Sequence, residues 1–299
     1  MNLPASQRRF SGHRTRPTVT FQALAGAGQA LPGQFDGIME CPRMGYMQRT
    51  GSNSKDSVRD ALRDVRLILW SIRLHGVRRY YRQRHWEKEA IEEDFCERVS
   101  PTPRLESVSE HSWHVADIVL TLGPRFAQVD YLRATELAIL HDKLELITGD
   151  KNPIGRDGTG QKSHAFDLLA REKKDSDEAV ALEKYLLRLQ PSLQSHQRKA
   201  FSELAAGKSA ESKFVKAIDK LQTLAYIHWK KDGDLSDTHL IFTVRYAKKA
   251  TNYFPDLDLH LSVLLKIFLK KVAQRRTITT ASLRDFLVSA DSQLDLFRF

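Results

Sequence analysis

The fold is decided by a stretch in the middle of the chain, residues 137–150, which reads LAILHDKLELITGD. Four of its side chains recur at the spacing of one helical face: Leu137, Leu140, His141 and Leu144. Asp142 follows the histidine directly, and Glu145 lies one turn further on. Two carboxylates and an imidazole are costly to bury without a counter-ion. The stretch therefore predicts a core-facing helix that binds a cation.

A second histidine stands at the head of another apolar stripe. His111 is followed by Val115, Ile118 and Leu122 at +4, +7 and +11, which is the spacing of one helical face. We therefore expect His111 to point into the core. Taken alone, such a histidine is more often a hydrogen-bonded core residue than a metal ligand.

A buried acid is predicted in a third segment, residues 213–222, which reads KFVKAIDKLQ. Its lysines, Lys213, Lys216 and Lys220, share one helical face that we expect to be in solvent. Asp219 lies on the other side, where an acid loses its hydration and needs a partner. A local salt bridge is the alternative, but on this pattern the lysines point elsewhere.

The three segments together supply two imidazoles and two carboxylates, from His111, His141, Asp142 and Asp219. This set of nitrogen and oxygen donors suits a divalent metal such as Mn, Fe, Co, Ni or Zn, with Mg as a further candidate. A bound metal of this kind polarises a phosphoryl oxygen and makes hydroxide available near neutral pH. Glu145 is placed to move the proton.

The combined motifs resemble the HD phosphohydrolase superfamily, and within it the 5′-deoxynucleotidase branch. The matching segments read ESVSEHS (106–112), HDKLE (141–145), GDKNP (149–153) and FVKAIDKL (214–221). The resemblance covers roughly residues 98–255. It implies an HD-domain helical bundle and a nucleotide substrate.

The resemblance also implies roles for single residues. His111, His141, Asp142 and Asp219 would ligate one metal, Glu145 would act as acid and base, and Asp150 would contact the sugar or the attacking water. In that branch an arginine shortly before the first histidine grips the phosphate, which here gives Arg98 or Arg104. Lys143 stands where the family usually has an apolar residue, and it either touches phosphate or turns outward.

The rest of the chain also patterns as helices, so the fold class is all-α. Alternating strand runs and internal repeats are absent from the sequence. The helical segments are expected from near Asp56 and then near 107–128, 131–148, 163–189, 193–206, 209–231, 236–253, 257–275 and 281–289. The predicted organisation is a flexible basic tail (1–54), a helical extension (55–100), the HD domain (101–275) and a short carboxy-terminal helix and tail (276–299).

Composition narrows the class of protein. Hydrophobic residues make up 41% of the 299 residues, the formal net charge is +10, and two cysteines make no disulfide framework. No apolar run reaches the ~18 residues that a membrane span needs. We expect a soluble cytoplasmic protein. For its arginine-rich start, the alternatives to a flexible tail are an organelle transit peptide and a true first residue at Met44 or Met47. Homo-oligomerisation is left open.

Three functions compete at this stage. The first is hydrolysis of a (deoxy)nucleoside 5′-monophosphate, and the second is hydrolysis of a nucleoside triphosphate or a signalling nucleotide. The third is nucleic-acid binding with a structural metal, through the basic amino-terminal half. Residues 78–86 interleave arginine with aromatic residues, which can bind nucleic acid. The interpretation that we prefer for them is a solvated helix whose aromatic rings pack inward.

Removal of residues 1–46 is expected to leave folding and hydrolysis nearly unchanged, because nothing in that segment has the periodicity of a core-forming element. The measurement compares the thermal midpoint and the phosphate release of the truncated and full-length chains. An insoluble or inactive truncated protein would show that the segment belongs to the folded domain.

Overall fold

Serine, threonine or aspartate side chains cap the beginning of most helices by accepting backbone N–H groups. Ser107 accepts from Glu110 and forms a reciprocal capping box with it. Asp167 accepts from the amide of Ala170 at 2.7 Å. Four further helices begin with a side-chain cap of the same kind, from Asp130, Ser209, Ser236 and Thr279.

The structure is a computed structural model and describes residues 54–81, 83–87, 104–155, 157–291 and 294. Ten α-helices lie within these ranges: α1 (Ser54–Ser71), α2 (Val108–Leu122), α3 (Tyr131–Leu140), α4 (Glu145–Thr148), α5 (Leu168–Leu186), α6 (Pro191–Ala206), α7 (Ala210–Lys231), α8 (Asp237–Tyr253), α9 (Asp258–Arg275) and α10 (Thr280–Ala290). Over the described ranges no strand forms, and the expected all-α class is confirmed.

Helix α7 is the centre of the bundle, since it packs against α2, α3, α8 and α9. Its buried face includes Phe214, Ile218 and Leu224, each at most 1% exposed. Helix α2 also packs along α3. The histidine segments at the start of α2 and the end of α3 therefore meet the middle of α7, where Asp219 lies.

The continuous helix expected over 131–148 is wrong. Helix α3 ends at Leu140, and α4 begins only at Glu145. Between them the amide of Lys143 donates to Leu140 and that of Glu145 donates to Asp142, both three residues back. Such tight turns rotate the chain by nearly the same angle per residue as an α-helix. Leu140 and Leu144 therefore stay buried, and the apolar periodicity of the sequence continues across the break.

Two other helices are shorter than expected. The helix predicted over 107–128 ends at Leu122, because Pro124 follows and a 3₁₀ turn forms over Gly123–Arg125. The helix predicted over 163–189 is α5, whose cap Asp167 starts it at Leu168. The remaining predicted helices agree with α1 and α6 to α10 within two residues.

Residues 77–81 and 83–87, which we call the strap, do not form the helix expected there. Tyr80 has a positive φ of 66°, and a single 3₁₀ turn spans Arg84–Trp86. The amide of Arg79 donates to the carbonyl of Glu106 at 2.9 Å, which ties the strap to the segment before α2.

The expected inward packing of the strap's aromatic rings is confirmed for Tyr80 and Trp86, which are 4% and 0% exposed, and is wrong for Tyr81, which is 37% exposed. Tyr80 stacks on Tyr226 with ring centroids 5.1 Å apart. These two rings are therefore not available to stack on nucleic-acid bases. None of the helices in the described part of the chain is long and apolar enough to cross a membrane. The predicted domain boundaries stay a prediction.

Candidate metal centre

Two imidazole rings from different helices meet in the interior. His111 lies in the first turn of α2 and is fully buried, as its place at the head of an apolar stripe predicts. His141 follows the last residue of α3. Their Nε2 atoms are 3.2 Å apart.

The other nitrogen of each ring is already engaged. His111 Nδ1 lies 2.7 Å from the Oε1 atom of Gln222, and His141 Nδ1 lies 2.6 Å from the carbonyl oxygen of Ala138. Because both partners are acceptors, each Nδ1 carries the proton in the neutral ring. Both Nε2 lone pairs then point at the same place and repel each other. Only a proton or a cation between them removes this repulsion.

Carboxylate oxygens complete the group. Asp142 Oδ2 lies 3.2 Å from His141 Nε2 and 3.5 Å from His111 Nε2. Asp219 Oδ1, from the middle of α7, lies 3.2 Å from His111 Nε2. We call these four residues the cluster. His111, His141 and Asp142 each offer one atom within 4.8 Å of the others, which is a spacing that one metal ion can bridge.

Electrostatics keep both aspartates ionised. Burial alone would raise the pKa of Asp142, but the neighbouring imidazoles of His141 and His111 outweigh it and lower that pKa. Burial likewise opposes ionisation of Asp219, and the charges of Lys220 and His111 hold its pKa well below the usual range. The cluster therefore presents two negative charges to whatever it binds.

Lys220 departs from the expected solvent face. Its Nζ atom lies 2.5 Å from Asp219 Oδ2 and donates to the Tyr246 hydroxyl at 2.7 Å, and its side chain is 11% exposed. The local salt bridge that the sequence offered as an alternative is thus present. It engages the second oxygen of Asp219 and leaves Oδ1 facing His111. Lys213 is exposed as expected, and Lys216 is half-buried.

Two further carboxyls beside the cluster have raised pKa values. Burial, followed by the charges of Asp142 and Asp150, raises the pKa of Glu145 well above its ordinary value. The Oε2 atom of Glu145 is buried and has no hydrogen-bond partner among the described residues. Burial also raises the pKa of Asp150 to about 6, against the opposing charge of Arg79. Two carboxyls that bind a proton more readily than usual are thus placed near the cluster.

Arg79, in the strap, is the functional candidate that the sequence analysis missed. Its guanidinium donates to Glu106 Oε2 at 2.7 Å and to Thr223 Oγ1 at 3.3 Å. Gln222 Nε2 donates to the other Glu106 oxygen at 2.6 Å. Since Gln222 also accepts from His111, this network links the arginine to the imidazole of His111 and fixes its orientation.

The substrate-binding residues predicted from sequence are not gathered here. Arg104 pairs with Glu110 at 2.8 Å, and Arg98 lies outside the described residues. Lys143 places its ammonium 5.6 Å from the centroid of the Tyr185 ring. Arg79 stands 32 positions before His111, so a search for an arginine shortly before the histidine passes over it. The aromatic residues that follow Arg79 were the feature of the sequence that could have pointed to this arginine.

A small cavity opens beside Arg79 and Asp150, between the strap and α8. Its lining includes Tyr80, Gln83 and Trp86. Three buried polar atoms of these residues, Tyr80 Oη, Gln83 Oε1 and Trp86 Nε1, have no hydrogen-bond partner within the described ranges. Buried polar groups are normally satisfied, so these atoms suit a ligand or water with polar edges.

Comparison with known proteins identifies the architecture. The profile of the HD domain family matches residues 96–257, which is more than half of the chain. A predicted metal-dependent phosphohydrolase from Magnetospirillum magnetotacticum MS-1 has a similar fold, with a TM-score of 0.52 and 18% identity. That alignment covers 71% of this chain and 94% of the other.

Two relatives of the chain are named 5′-deoxynucleotidases. The 5′-deoxynucleotidase hdd1 of Schizosaccharomyces pombe is 27% identical over 146 residues, which cover 44% of this chain and 67% of the relative. The 5′-deoxynucleotidase HDDC2 of Xenopus laevis is 31% identical over 137 residues, covering 44% and 61%. The chain thus spans about two thirds or less of these relatives. The expected resemblance to HD phosphohydrolases is confirmed.

Replacing Glu106 with alanine is expected to lower the free energy of unfolding by ~3–5 kcal/mol, because it removes the carboxylate that pairs with the buried charge of Arg79. The control is Glu136→Ala, which removes a partly exposed partner of Arg133 and should cost less than about 1 kcal/mol. Urea denaturation of both variants gives the comparison. Equal losses of unfolding free energy in the two single variants would contradict this prediction. A double variant, Arg79→Met with Glu106→Leu, that is no more stable than Glu106→Ala would also contradict it.

Proposed function

The chain belongs to the HD domain family, and we propose that it is a metal-dependent phosphohydrolase that cleaves a (deoxy)nucleoside 5′-monophosphate to nucleoside and phosphate. The observation that carries the proposal is the pair of Nε2 atoms facing each other at 3.2 Å, with two ionised aspartates around them. Relatives named 5′-deoxynucleotidases support the substrate class.

We assign the metal to the cluster: His111, His141, Asp142 and Asp219 would hold it. The fit rests on the donor set, because two imidazole nitrogens with free lone pairs and two carboxylate oxygens suit Mn, Co, Fe, Ni or Zn, and Mg less well. When bound, such an ion polarises a phosphoryl oxygen and lowers the pKa of water. The hydrogen bonds from each Nδ1 to Gln222 and Ala138 hold the rings in the ligating orientation.

Glu145 and Asp150 would manage the proton. Hydrolysis of a phosphate monoester joins a water oxygen to phosphorus, breaks the ester P–O bond and moves one proton from the water to the leaving oxygen. A carboxyl with a raised pKa can take that proton and return it. We assign this transfer to Glu145, whose buried Oε2 has no partner of its own in the described part of the chain. Asp150 would contact the sugar or the attacking water.

Arg79 would bind the phosphate, in place of Arg98 or Arg104. Its guanidinium is largely buried beside the cluster, and the charges of Asp150 and Asp219 act on it directly. Arginine forms paired hydrogen bonds with phosphate oxygens. The adjoining cavity, about 20 Å³ in volume, has room for a water molecule beside the guanidinium.

Asp142→Ala should remove most of the divalent metal that the purified protein carries or binds, because the loss of one ligand from a small set sharply lowers affinity. The parent should bind about one ion per chain. Asp117→Ala is the matched control, since Asp117 is exposed on the same helix as His111. Elemental analysis that finds the Asp142 variant as metal-rich as the parent would remove this residue from the ligand set.

Glu145→Gln should keep metal and nucleotide binding but turn over at least ~100-fold more slowly, because the amide keeps the shape and cannot transfer the proton. Metal content and phosphate release are measured on the same preparation. Loss of metal would show that Glu145 positions the ligands instead. Full occupancy with near-normal turnover would refute both roles and favour Asp150.

The substrate class is tested separately, by product analysis over mono-, di- and triphosphates with several divalent metals. Orthophosphate released from a nucleoside 5′-monophosphate supports the proposal. Tripolyphosphate released from a triphosphate, with the monophosphate left intact, would overturn it.

A further inference from the structure

A second group of charged side chains lies beside the cluster and is not used by the proposed reaction. It contains four cations from three helices: Arg171 and Lys174 on α5, Lys220 on α7 and Lys249 on α8. We call it the basic group. It surrounds His164 and Ala165 in the turn before α5.

The basic group begins at the metal centre. Lys220 contacts Asp219 of the cluster and the hydroxyl of Tyr246. The ring of Tyr246 lies below Lys220, with the ammonium 4.4 Å from its centroid, and within 6.0 Å of the Lys249 ammonium. Tyr246 therefore bridges the aspartate end of the basic group and its outer end.

Lys249 places a half-buried ammonium at the outer end of the basic group. Its ammonium donates to the carbonyl of Ala165 and lies 5.1 Å from the centroid of the Phe166 ring. Among the described residues no carboxylate pairs with it. Burial, followed by the charges of Lys220 and Arg171, lowers the pKa of Lys249 to about 8. A half-buried ammonium is thus held among other cations.

Arg171 turns toward the same carbonyl. Its Nη2 atom lies 3.5 Å from the oxygen of Ala165, and its Nε atom lies 3.4 Å from the oxygen of His164. Within the described ranges it too has no carboxylate partner. Lys174 and Lys220, in contrast, pair with Glu178 and Asp219. Two of the four positive charges are therefore neutralised and two are not.

The pKa of the His164 imidazole shows the effect of these positive charges. Burial, together with the charges of Lys174, Lys220, Lys249 and Arg171, lowers its pKa to about 3. The ring consequently stays neutral at physiological pH. Like charges gathered in this way are unfavourable unless an anion joins them.

We propose that Lys249 and Arg171 bind a second phosphoryl group on the nucleotide, so that a doubly phosphorylated nucleotide binds more tightly than the 5′-monophosphate. One would lie at the cluster for hydrolysis and the other at the basic group. This inference rests on the proposed function for the first phosphate. The shared chemistry is a phosphoryl dianion, which a nucleoside 5′-diphosphate and a 3′,5′-bisphosphate both supply from different positions.

Calorimetric titration of the metal-loaded full-length Glu145→Gln variant tests the inference, because this variant is expected to bind nucleotide but turn over at least ~100-fold more slowly than the parent. The probes are 2′-deoxyadenosine 5′-monophosphate, 5′-diphosphate and 3′,5′-bisphosphate. At least one of the two doubly phosphorylated probes should bind about tenfold more tightly than the monophosphate, as expected for added charge-assisted hydrogen bonds. The tighter of the two shows where the second phosphate lies. Equal dissociation constants for all three probes would overturn the inference.

Variants separate recognition from a structural role of the same lysine. Lys249→Gln should shrink the affinity ratio to less than about threefold, whereas Lys249→Arg should keep it because the charge remains. Lys173→Gln, at an exposed lysine on the same helix as Arg171, is the control and should match the parent. If Lys249→Gln weakens all three probes equally, Lys249 only holds the turn at 163–167 and the inference is wrong.

The two proposals fail differently. A protein that binds the doubly phosphorylated probes more tightly but releases no phosphate from the monophosphate would retain the second site and lose the proposed reaction. A protein that hydrolyses the monophosphate and shows no preference for a second phosphate would retain the reaction and lose the second site.

Discussion

Two imidazole nitrogens that face each other across 3.2 Å are the constraint on which the site depends. Both rings have their other nitrogen committed to an acceptor, so neither can turn its lone pair away without breaking a buried hydrogen bond. Asp142 and Asp219 add negative charge at the same point. The bundle brings the ends of two helices against the middle of a third, and a proton or a cation makes this convergence favourable.

The network behind the cluster is also built from buried charge. Glu106 is 4% exposed, and its carboxylate accepts from Arg79 and Gln222. Burial opposes its ionisation, but the hydrogen bond to His114 and the charge of Arg79 lower the pKa of Glu106 below its usual value. The strap therefore does more than extend the bundle. It carries the arginine that balances this carboxylate.

The sequence predicted the helices well because apolar periodicity survives packing. The burial of His111 and Leu137 followed from the same pattern. It could not show the break after Leu140, since a tight turn keeps nearly the helical rotation. It also missed the salt bridge of Lys220, because a long side chain can fold back from the face on which its Cα lies. Arg79 was missed because its partners are distant in sequence.

Crystals soaked with Zn²⁺ and measured at the zinc absorption edge would show whether the cluster binds a metal ion. We expect one strong anomalous peak bounded by the four residues of the cluster, within about 2.0–2.2 Å of the Nε2 atoms of His111 and His141 and of an oxygen of Asp142 and of Asp219. A peak at another place in the molecule, or a cluster without any peak in crystals that have taken up zinc elsewhere, would contradict it.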